Sequence, residues 1–167
     1  MIILGIDPGL AITGYGFVEE KGNRFHRLAS GVIRTSKQTP GPMRLAEIYD
    51  RVVELIREYR PHCLAVEKLF FCKNVRTALQ VGEARGTVVL AAAKSKLDLY
   101  EYTPLQVKQA VAGYGGADKR QVQHMVELLL RLTEKVSIDD ESDALAIALC
   151  HLQHRCYAAA IKGGRPQ

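Results

Sequence analysis

The sequence predicts an α/β fold in which helices flank a five-stranded mixed sheet. Three apolar runs joined by short links, at residues 2–7, 14–20 and 24–35, are typical of an antiparallel meander. An amphipathic helix then leads to a fourth strand at 62–67, and this strand, helix, strand order implies a right-handed crossover to a parallel neighbour in the same sheet. The fifth strand is expected at 97–102.

Helical patterns occupy most of the remaining chain. Apolar residues recur every three or four positions from Leu45 to Tyr59, and Pro61 ends that helix. A long helix is expected at 74–96. Capping patterns and a final apolar run predict three more helices. Their starts are Thr103-Pro104, Asp118 and the segment from Ser137 to Asp140.

Length and composition limit the class of protein. The 167 residues predict one domain at 1–160, followed by a basic tail at 161–167 that is expected to be disordered. The net charge of +5 favours a polyanionic partner. The four cysteines show no C-x-x-C spacing, and neither a signal peptide nor a run of 18 apolar residues is present. We therefore expect reduced cysteines, a cytoplasmic protein and no membrane partner.

Four acids stand at the ends of three predicted elements. Asp7 follows the first strand and precedes the Pro8-Gly9 turn, and Glu67 ends the fourth strand. Asp140 and Asp143 share one face at the start of the last helix. Each acid alone is explained by a turn or by a helix dipole. Together they favour a cation site, because adjacent buried carboxylates are unfavourable without one, and hard oxygen ligands suit Mg²⁺ or Mn²⁺.

Small residues repeat every four positions on the predicted long helix. They are Ala78, Gly82 and Gly86, and each interior glycine costs about 1 kcal/mol relative to alanine. Something is therefore expected to pack closely there. Either the helix lies tightly on its own sheet, or the stripe is a subunit interface.

A segment near the C-terminus is rich in cysteine and histidine. Cys150 and His154, four residues apart, would be able to bind a soft metal ion, with His151 and Cys156 nearby. Buried thiols and partly buried imidazoles in an apolar helix are the favoured explanation.

Seven short motifs agree in order and spacing with a known family over residues 1–155. They are Gly5-Ile6-Asp7-Pro8-Gly9, Thr13-Gly14-Tyr15-Gly16, Val66-Glu67, Lys73-Asn74, Gly82-Glu83-Ala84-Arg85-Gly86, Lys119-Arg120-Gln121-Val122 and Asp143-Ala144-Leu145-Ala146-Ile147-Ala148. In these motifs the chain resembles the bacterial RuvC-type Holliday junction resolvases. The resemblance implies a ribonuclease H-like fold and a catalytic tetrad whose members are Asp7, Glu67, Asp140 and Asp143.

The resemblance also implies an activity and its partners. A homodimer would nick two strands of a four-way DNA junction, leaving 5′-phosphate and 3′-hydroxyl ends. The tetrad would hold two Mg²⁺ ions, with Mn²⁺ able to substitute, and two ions about 3.5 to 4 Å apart suit phosphodiester hydrolysis. A RuvA–RuvB branch-migration helicase complex is the expected partner.

DNA contacts are expected on both sides of the acids. Phe70 matches the base-contacting phenylalanine of the family, although Phe70 and Phe71 would also suit the core. Lys108 and Lys119 match lysines near the junction backbone, although each would also suit a solvated surface. The further candidates are Lys73, Arg76 and Arg120.

Two other functional classes stay open. Asp-x-Gly followed by Thr-Gly also suits the phosphate-binding turn of an actin-like or sugar-kinase domain. Such enzymes usually need two copies of the domain, and this chain has room for one. A module that binds branched DNA without cutting it is the other class, and the intact acids argue against it.

Overall fold

The computed structural model describes residues 1–22, 24–68, 75–136 and 138–163, without the side chains of 75–77 and 158–163. Five strands and five helices fill these ranges, and each lies within a few residues of its predicted position. In chain order they are β1 (Ile2–Asp7), β2 (Ile12–Lys21), β3 (Arg24–Arg34), α1 (Gly41–Tyr59), β4 (Cys63–Glu67), α2 (Val75–Lys94), β5 (Asp98–Tyr102), α3 (Pro104–Ala112), α4 (Lys119–Leu130) and α5 (Asp139–Gly163).

The strands form one mixed sheet in the order β3-β2-β1-β4-β5. β1, β2 and β3 pair in an antiparallel manner, which confirms the predicted meander. β4 pairs parallel to both β1 and β5. The predicted parallel neighbour of β4 is therefore confirmed, and α1 is the helix that leads from the end of β3 to β4. The predicted α/β class with a five-stranded mixed sheet is correct.

The two faces of the sheet are covered by different helices. Leu4 and Ile6 of β1 join the apolar cluster that includes α1 and α2. Ile3, which precedes Leu4 and points to the opposite face, joins the cluster formed with α3, α4 and α5. This separation follows from the two-residue alternation of side chains along a strand. Any β1 or β4 residue of the same parity as Ile3 therefore faces α5.

The last helix extends beyond its predicted end. α5 has 25 residues and ends at Gly163, so it includes the first three residues of the segment expected to be a disordered tail. Residues 164–167 lie outside the described ranges. Among the described helices, none combines the length and apolarity that crossing a membrane requires.

The small-residue stripe of α2 does not lie on the sheet along its whole length. Ala84 and Val88 are fully buried in the core, and they form the face that packs on the protein. Leu79 and Leu90 remain 64% and 51% exposed. Gly86 is exposed as well, and apart from its chain neighbours and the backbone of its own helix, no atom of the described ranges lies within 4 Å of where its Cβ would stand. At Gly86 the explanation by tight packing on the protein's own sheet is therefore wrong.

The first half of the cysteine and histidine segment lies in the core. His151 is buried, with Nδ1 2.7 Å from the Tyr102 hydroxyl oxygen and Nε2 3.4 Å from Cys63 Sγ. Burial, and after it the positive charge of Arg155, lowers the pKa of His151 from 6.5 to about 4. Cys150 is also buried as a free thiol. The favoured explanation by burial therefore holds for Cys150 and His151, whereas His154 and Cys156, one helical turn further on, are exposed.

Candidate active site

Strand parity and parallel pairing bring two acids together at one edge of the sheet. Asp7 is the last residue of β1 and Glu67 the last residue of β4. Ile6 pairs with Val66, so the next residues along both strands are neighbours. Asp7 lies an even number of residues after Ile3, and Glu67 lies an even number of residues after Cys63 and Ala65. Because alternate side chains of a strand share a face, both acids lie on the face of the sheet that α5 covers. Asp7 and Glu67 therefore lie side by side at the ends of two adjacent strands.

Glycines on the sheet allow the last helix to lie directly on the strands. A Cβ on Gly5 would overlap the backbone carbonyl of Ala144, and a Cβ on Gly14 would overlap that of Asp140. Glycine within a strand often marks such a close backbone approach. The first turns of α5 therefore reach the strand ends, and they bring Asp140 and Asp143 to the side of Asp7.

The four acids influence one another electrostatically. The pKa of Asp7 is raised from 3.8 to about 7, mainly by burial and then by the negative charges of Asp143, Glu67 and Asp140. The ammonium of Lys119 acts in the opposite direction and only partly compensates. Without a cation, the acid at the centre of this group binds a proton far more readily than an ordinary aspartate.

Two further acids of the group have raised pKa values. Burial raises the pKa of Glu67, and the charge of Asp143 adds to it. Burial also raises the pKa of Asp143, even though Lys119 donates a hydrogen bond to it. The site thus holds more negative charge than its own cationic residue neutralises, and this excess favours a bound cation.

Lys119 is the cation that the structure places among these acids. Its Nζ lies 3.1 Å from Asp143 Oδ2 and 3.2 Å from Asp139 Oδ2. Lys119 is the first residue of α4, where the helix dipole disfavours a positive charge, so the two carboxylates provide the compensation. Asp139 was not among the predicted site residues. Its position directly before Asp140 was the only signal in the sequence.

A cavity opens beside the acids, between β4 and helices α3, α4 and α5. Its volume is about 260 Å³. Glu67, Asp143, Lys108 and Lys119 contribute charged groups to its lining, so two predicted acids and two predicted DNA-contacting lysines share one cavity. The apolar lining consists of Pro104, Val107, Val122, Ala146 and Ile147.

The donor set fits Mg²⁺ or Mn²⁺ in its chemistry. Four carboxylates supply only hard oxygen ligands, and a divalent cation would offset both the burial and the neighbouring negative charges that raise the pKa of Asp7. Within the described ranges, no three acid, histidine or cysteine side chains are close enough to hold an ion as they stand.

The remaining predicted DNA contacts do not all join this cavity. Arg120 lines a separate groove of about 360 Å³ on α4, together with His124 and Lys135. Arg76 lies in α2, but its side chain is outside the description. The predictions for Phe70, Phe71 and Lys73 concern residues outside the described ranges.

Sequence comparison identifies the family. The family model described as crossover junction endodeoxyribonuclease RuvC matches residues 3–151. RuvC of Pelotomaculum thermopropionicum is 55% identical over 162 residues, which cover 97% of this chain and 99% of that protein. RuvC of Desulfitobacterium hafniense is 58% identical over 151 residues, covering 90% of this chain and 92% of that protein.

Solved structures agree with this assignment. Thermus thermophilus RuvC, in a complex with a Holliday junction substrate, superposes with a TM-score of 0.90 at 40% identity, covering 95% of this chain and 96% of that one. The yeast mitochondrial Holliday junction resolvase superposes with a TM-score of 0.65 at 16% identity, over 96% of this chain and 85% of that one, and shares the fold. The ribonuclease H-like fold expected from the resemblance is therefore correct, and the chain belongs to the RuvC family of crossover junction endodeoxyribonucleases.

Proposed function

We propose that this protein is a Mg²⁺-dependent endonuclease that resolves four-way DNA junctions in recombination and repair. It makes paired symmetric nicks and leaves 5′-phosphate and 3′-hydroxyl ends. The observation that carries the proposal is the convergence of four carboxylates from β1, β4 and α5 at one edge of the sheet, with the pKa of Asp7 raised to about 7. The junction bound to the Thermus relative supports the choice of substrate.

The four acids would hold two divalent ions. When bound, such ions supply an activated water and offset the negative charge on the departing oxygen. Asp7 is the central ligand in this proposal, because the charges of all three other acids act on it. Glu67 holds one side of the site from β4, and Asp140 with Asp143 holds the other from α5.

Two lysines would orient the scissile phosphodiester. Lys108 and Lys119 line the same cavity as Glu67 and Asp143, so cationic groups and metal-binding groups face one space. An ammonium that contacts a phosphate fixes the register of the strand without reading its sequence. The separate groove with Arg120 would contact another part of the backbone. Base stacking by Phe70, assisted by Phe71, Lys73 and Arg76, rests on the family resemblance.

Two copies of the chain would act on one junction. Resolution into two intact duplexes takes two matching nicks, and the described part of the chain carries one acid cluster, so a two-fold homodimer is the simplest arrangement. The exposed face of α2 is the surface we place on that axis, since Leu79 and Leu90 are apolar and more than half exposed. Gly86 between them would let two helices approach closely.

The remaining parts of the proposal come from the resemblance. A RuvA–RuvB branch-migration helicase complex is the expected partner, and the cytoplasm is the expected location. Co-purification of the wild-type protein with these two partners on a synthetic junction would test the first.

A cleavage assay on a synthetic four-way junction tests the function. Cleavage is expected with Mg²⁺ or Mn²⁺ and not with EDTA, and a linear duplex of the same arm sequence should stay intact. Asp7→Asn is the matched control, because it keeps the shape of the side chain and removes its charge. Binding without cleavage by the wild-type protein would favour the non-cutting module. ATP binding or hydrolysis without junction binding would favour the kinase-like alternative.

Paired nicking needs its own substrate. A supercoiled plasmid that extrudes a cruciform becomes linear when both strands are cut within one bound complex. It becomes a nicked circle when single cuts occur independently. Linear product at early time points is expected, and accumulation of nicked circles alone would contradict the paired mechanism.

A further inference from the structure

Lys119 forms ion pairs with two carboxylates that have different roles in the proposed site. Asp143 belongs to the proposed metal-binding tetrad and Asp139 does not, yet both carboxylates lie within 3.2 Å of the same Nζ. The side chains also differ in exposure, at 64% for Asp139 and 35% for Asp143. Lys119 thus has one ion-pair partner inside the acid cluster and a second, more exposed partner at its rim.

A divalent ion would disturb only one of these two contacts. Asp143 would provide an oxygen ligand to an ion at the tetrad, and the charge of such an ion would repel the nearby ammonium. Asp139 is more exposed, and it is not needed for the four-carboxylate set. It therefore keeps its contact with Lys119 when the contact with Asp143 is lost.

We propose that Asp139 is a positioning residue for Lys119. Asp139 would hold the Lys119 ammonium at the rim of the site, next to the path of the scissile phosphate, when Asp143 binds a metal ion instead of Lys119. In the metal-free protein it also reduces the competition between Lys119 and the metal, because the ammonium is not bound to Asp143 alone. This inference rests on the proposed nuclease function.

A simpler role for Asp139 predicts different behaviour. Asp139 lies in the first turn of α5, where any acid complements the helix dipole. Glu141 lies in the same turn and accepts a hydrogen bond of 2.6 Å from the Ser30 hydroxyl instead of contacting Lys119. Glu141→Gln is therefore the matched control, since it removes an equivalent charge from the same turn.

The first measurement is single-turnover cleavage of the synthetic junction by the dimeric protein with saturating Mg²⁺. Asp139→Asn should slow cleavage about two- to fivefold, the range of one partly exposed ion pair. In a Lys119→Ala background the same substitution should change nothing further, because a residue that acts through Lys119 has no effect without it. Asp139→Glu should restore most of the rate, and Glu141→Gln should leave it near that of the wild-type protein.

The second measurement needs no cleavage. Binding of Mn²⁺ alone, followed by calorimetry in the absence of DNA, should become about two- to fivefold tighter in Lys119→Ala, since a competing cation is gone. Asp139→Asn should weaken Mn²⁺ binding in the presence of Lys119, because the ammonium then rests wholly on Asp143. The weakening should be smaller in the Lys119→Ala background. Equal weakening in both backgrounds would overturn the inference.

The outcomes separate the inference from the proposed function. Wild-type protein that binds Mn²⁺ and cuts the junction, with additive effects of Asp139→Asn and Lys119→Ala, overturns the inference and leaves the function intact. Equal losses of cleavage rate in Glu141→Gln and Asp139→Asn would also overturn the inference, because they would show that Asp139 acts only on the helix dipole. Wild-type protein that neither cuts the junction nor binds Mn²⁺ overturns both.

Discussion

Gly14 lies directly beneath the backbone carbonyl of Asp140. The contact joins the second strand to the first turn of the last helix, and no space is left there for a Cβ. Since Gly14 also pairs with Asp7 across β1 and β2, one glycine fixes the separation of two proposed metal ligands. The position of the acid cluster therefore depends on a residue that has no side chain.

Gly14→Ala should damage the site through this contact. The opposing atom is a backbone oxygen that no side-chain rotation can move, so α5 must shift, at a cost of about 1 to 3 kcal/mol in the free energy of unfolding. Cleavage should fall strongly, because Asp140 moves with the helix. Gly41→Ala is the control, since its Cβ would enter open space at the start of α1. Junction cleavage and thermal melts of both variants test this, and normal cleavage by Gly14→Ala would contradict it.

Asp7→Asn and Glu67→Gln should abolish cleavage and preserve junction binding. The acids repel the phosphate backbone and the ions attract it, so removing an acid takes away catalysis without taking away the DNA-binding surface. Gel-shift titration in Ca²⁺ and cleavage in Mg²⁺ would separate the two properties. Loss of binding in parallel with cleavage would indicate a folding defect instead.

The raised pKa of Asp7 should make the metal-free protein less stable as the pH rises. Asp7 keeps its proton up to about pH 7 in the folded protein, whereas the ordinary value is 3.8, so folding favours the protonated form. Stability in EDTA should therefore fall between about pH 4 and pH 7. Asp7→Asn should melt at a higher temperature than the wild-type protein at pH 8, with little difference at pH 4. Adding Mg²⁺ at pH 8 should reduce the difference. Equal melting temperatures of Asp7→Asn and the wild-type protein at pH 8 in EDTA would argue against a raised pKa of Asp7.

His151 should produce the opposite dependence in a lower window. The folded protein keeps His151 neutral down to about pH 4, whereas the ordinary pKa is 6.5, so the unfolded chain binds the proton first. The stability that this group contributes is therefore lost as the pH falls from about 6.5 to about 4. In His151→Gln, the free energy of unfolding measured by denaturant titration should change less with pH over that window than in the wild-type protein. The exposed His26→Gln is the control and should retain the wild-type slope.

Charges on the exposed face of α2 should separate the proposed homodimer. Leu79→Glu or Leu90→Glu would place a carboxylate in an apolar contact, and Gly86→Leu would fill the space needed for close approach of two helices. Sedimentation should shift toward monomer, and linear product from the cruciform plasmid should disappear. Leu128→Glu on α4 is the control, because Leu128 is 56% exposed but lies on the other face of the sheet. Variants on α2 that stay dimeric would place the interface elsewhere.

The order of elements could be predicted from the sequence because it depends on neighbours along the chain. Apolar runs, helical periodicity and capping patterns located the ten elements of the described ranges, and the capping boxes at Thr103 and Asp118 form as their residue patterns indicated. The strand, helix, strand order predicted that β4 has a parallel neighbour, and the structure shows that this neighbour is β1. That pairing was enough to place Asp7 beside Glu67, because both residues end their strands.

The environment of the acids was decided by tertiary packing alone. The contact of Gly14 with Asp140, and the approach of Lys119 to Asp139, join segments that are far apart in the sequence or belong to different helices. The exposed side of α2 depends on which of its apolar faces the sheet buries, and both faces look alike in the sequence. Local patterns determine which residues form a strand or a helix. How closely two elements approach depends on the shapes of both surfaces, and those surfaces exist only in the folded protein.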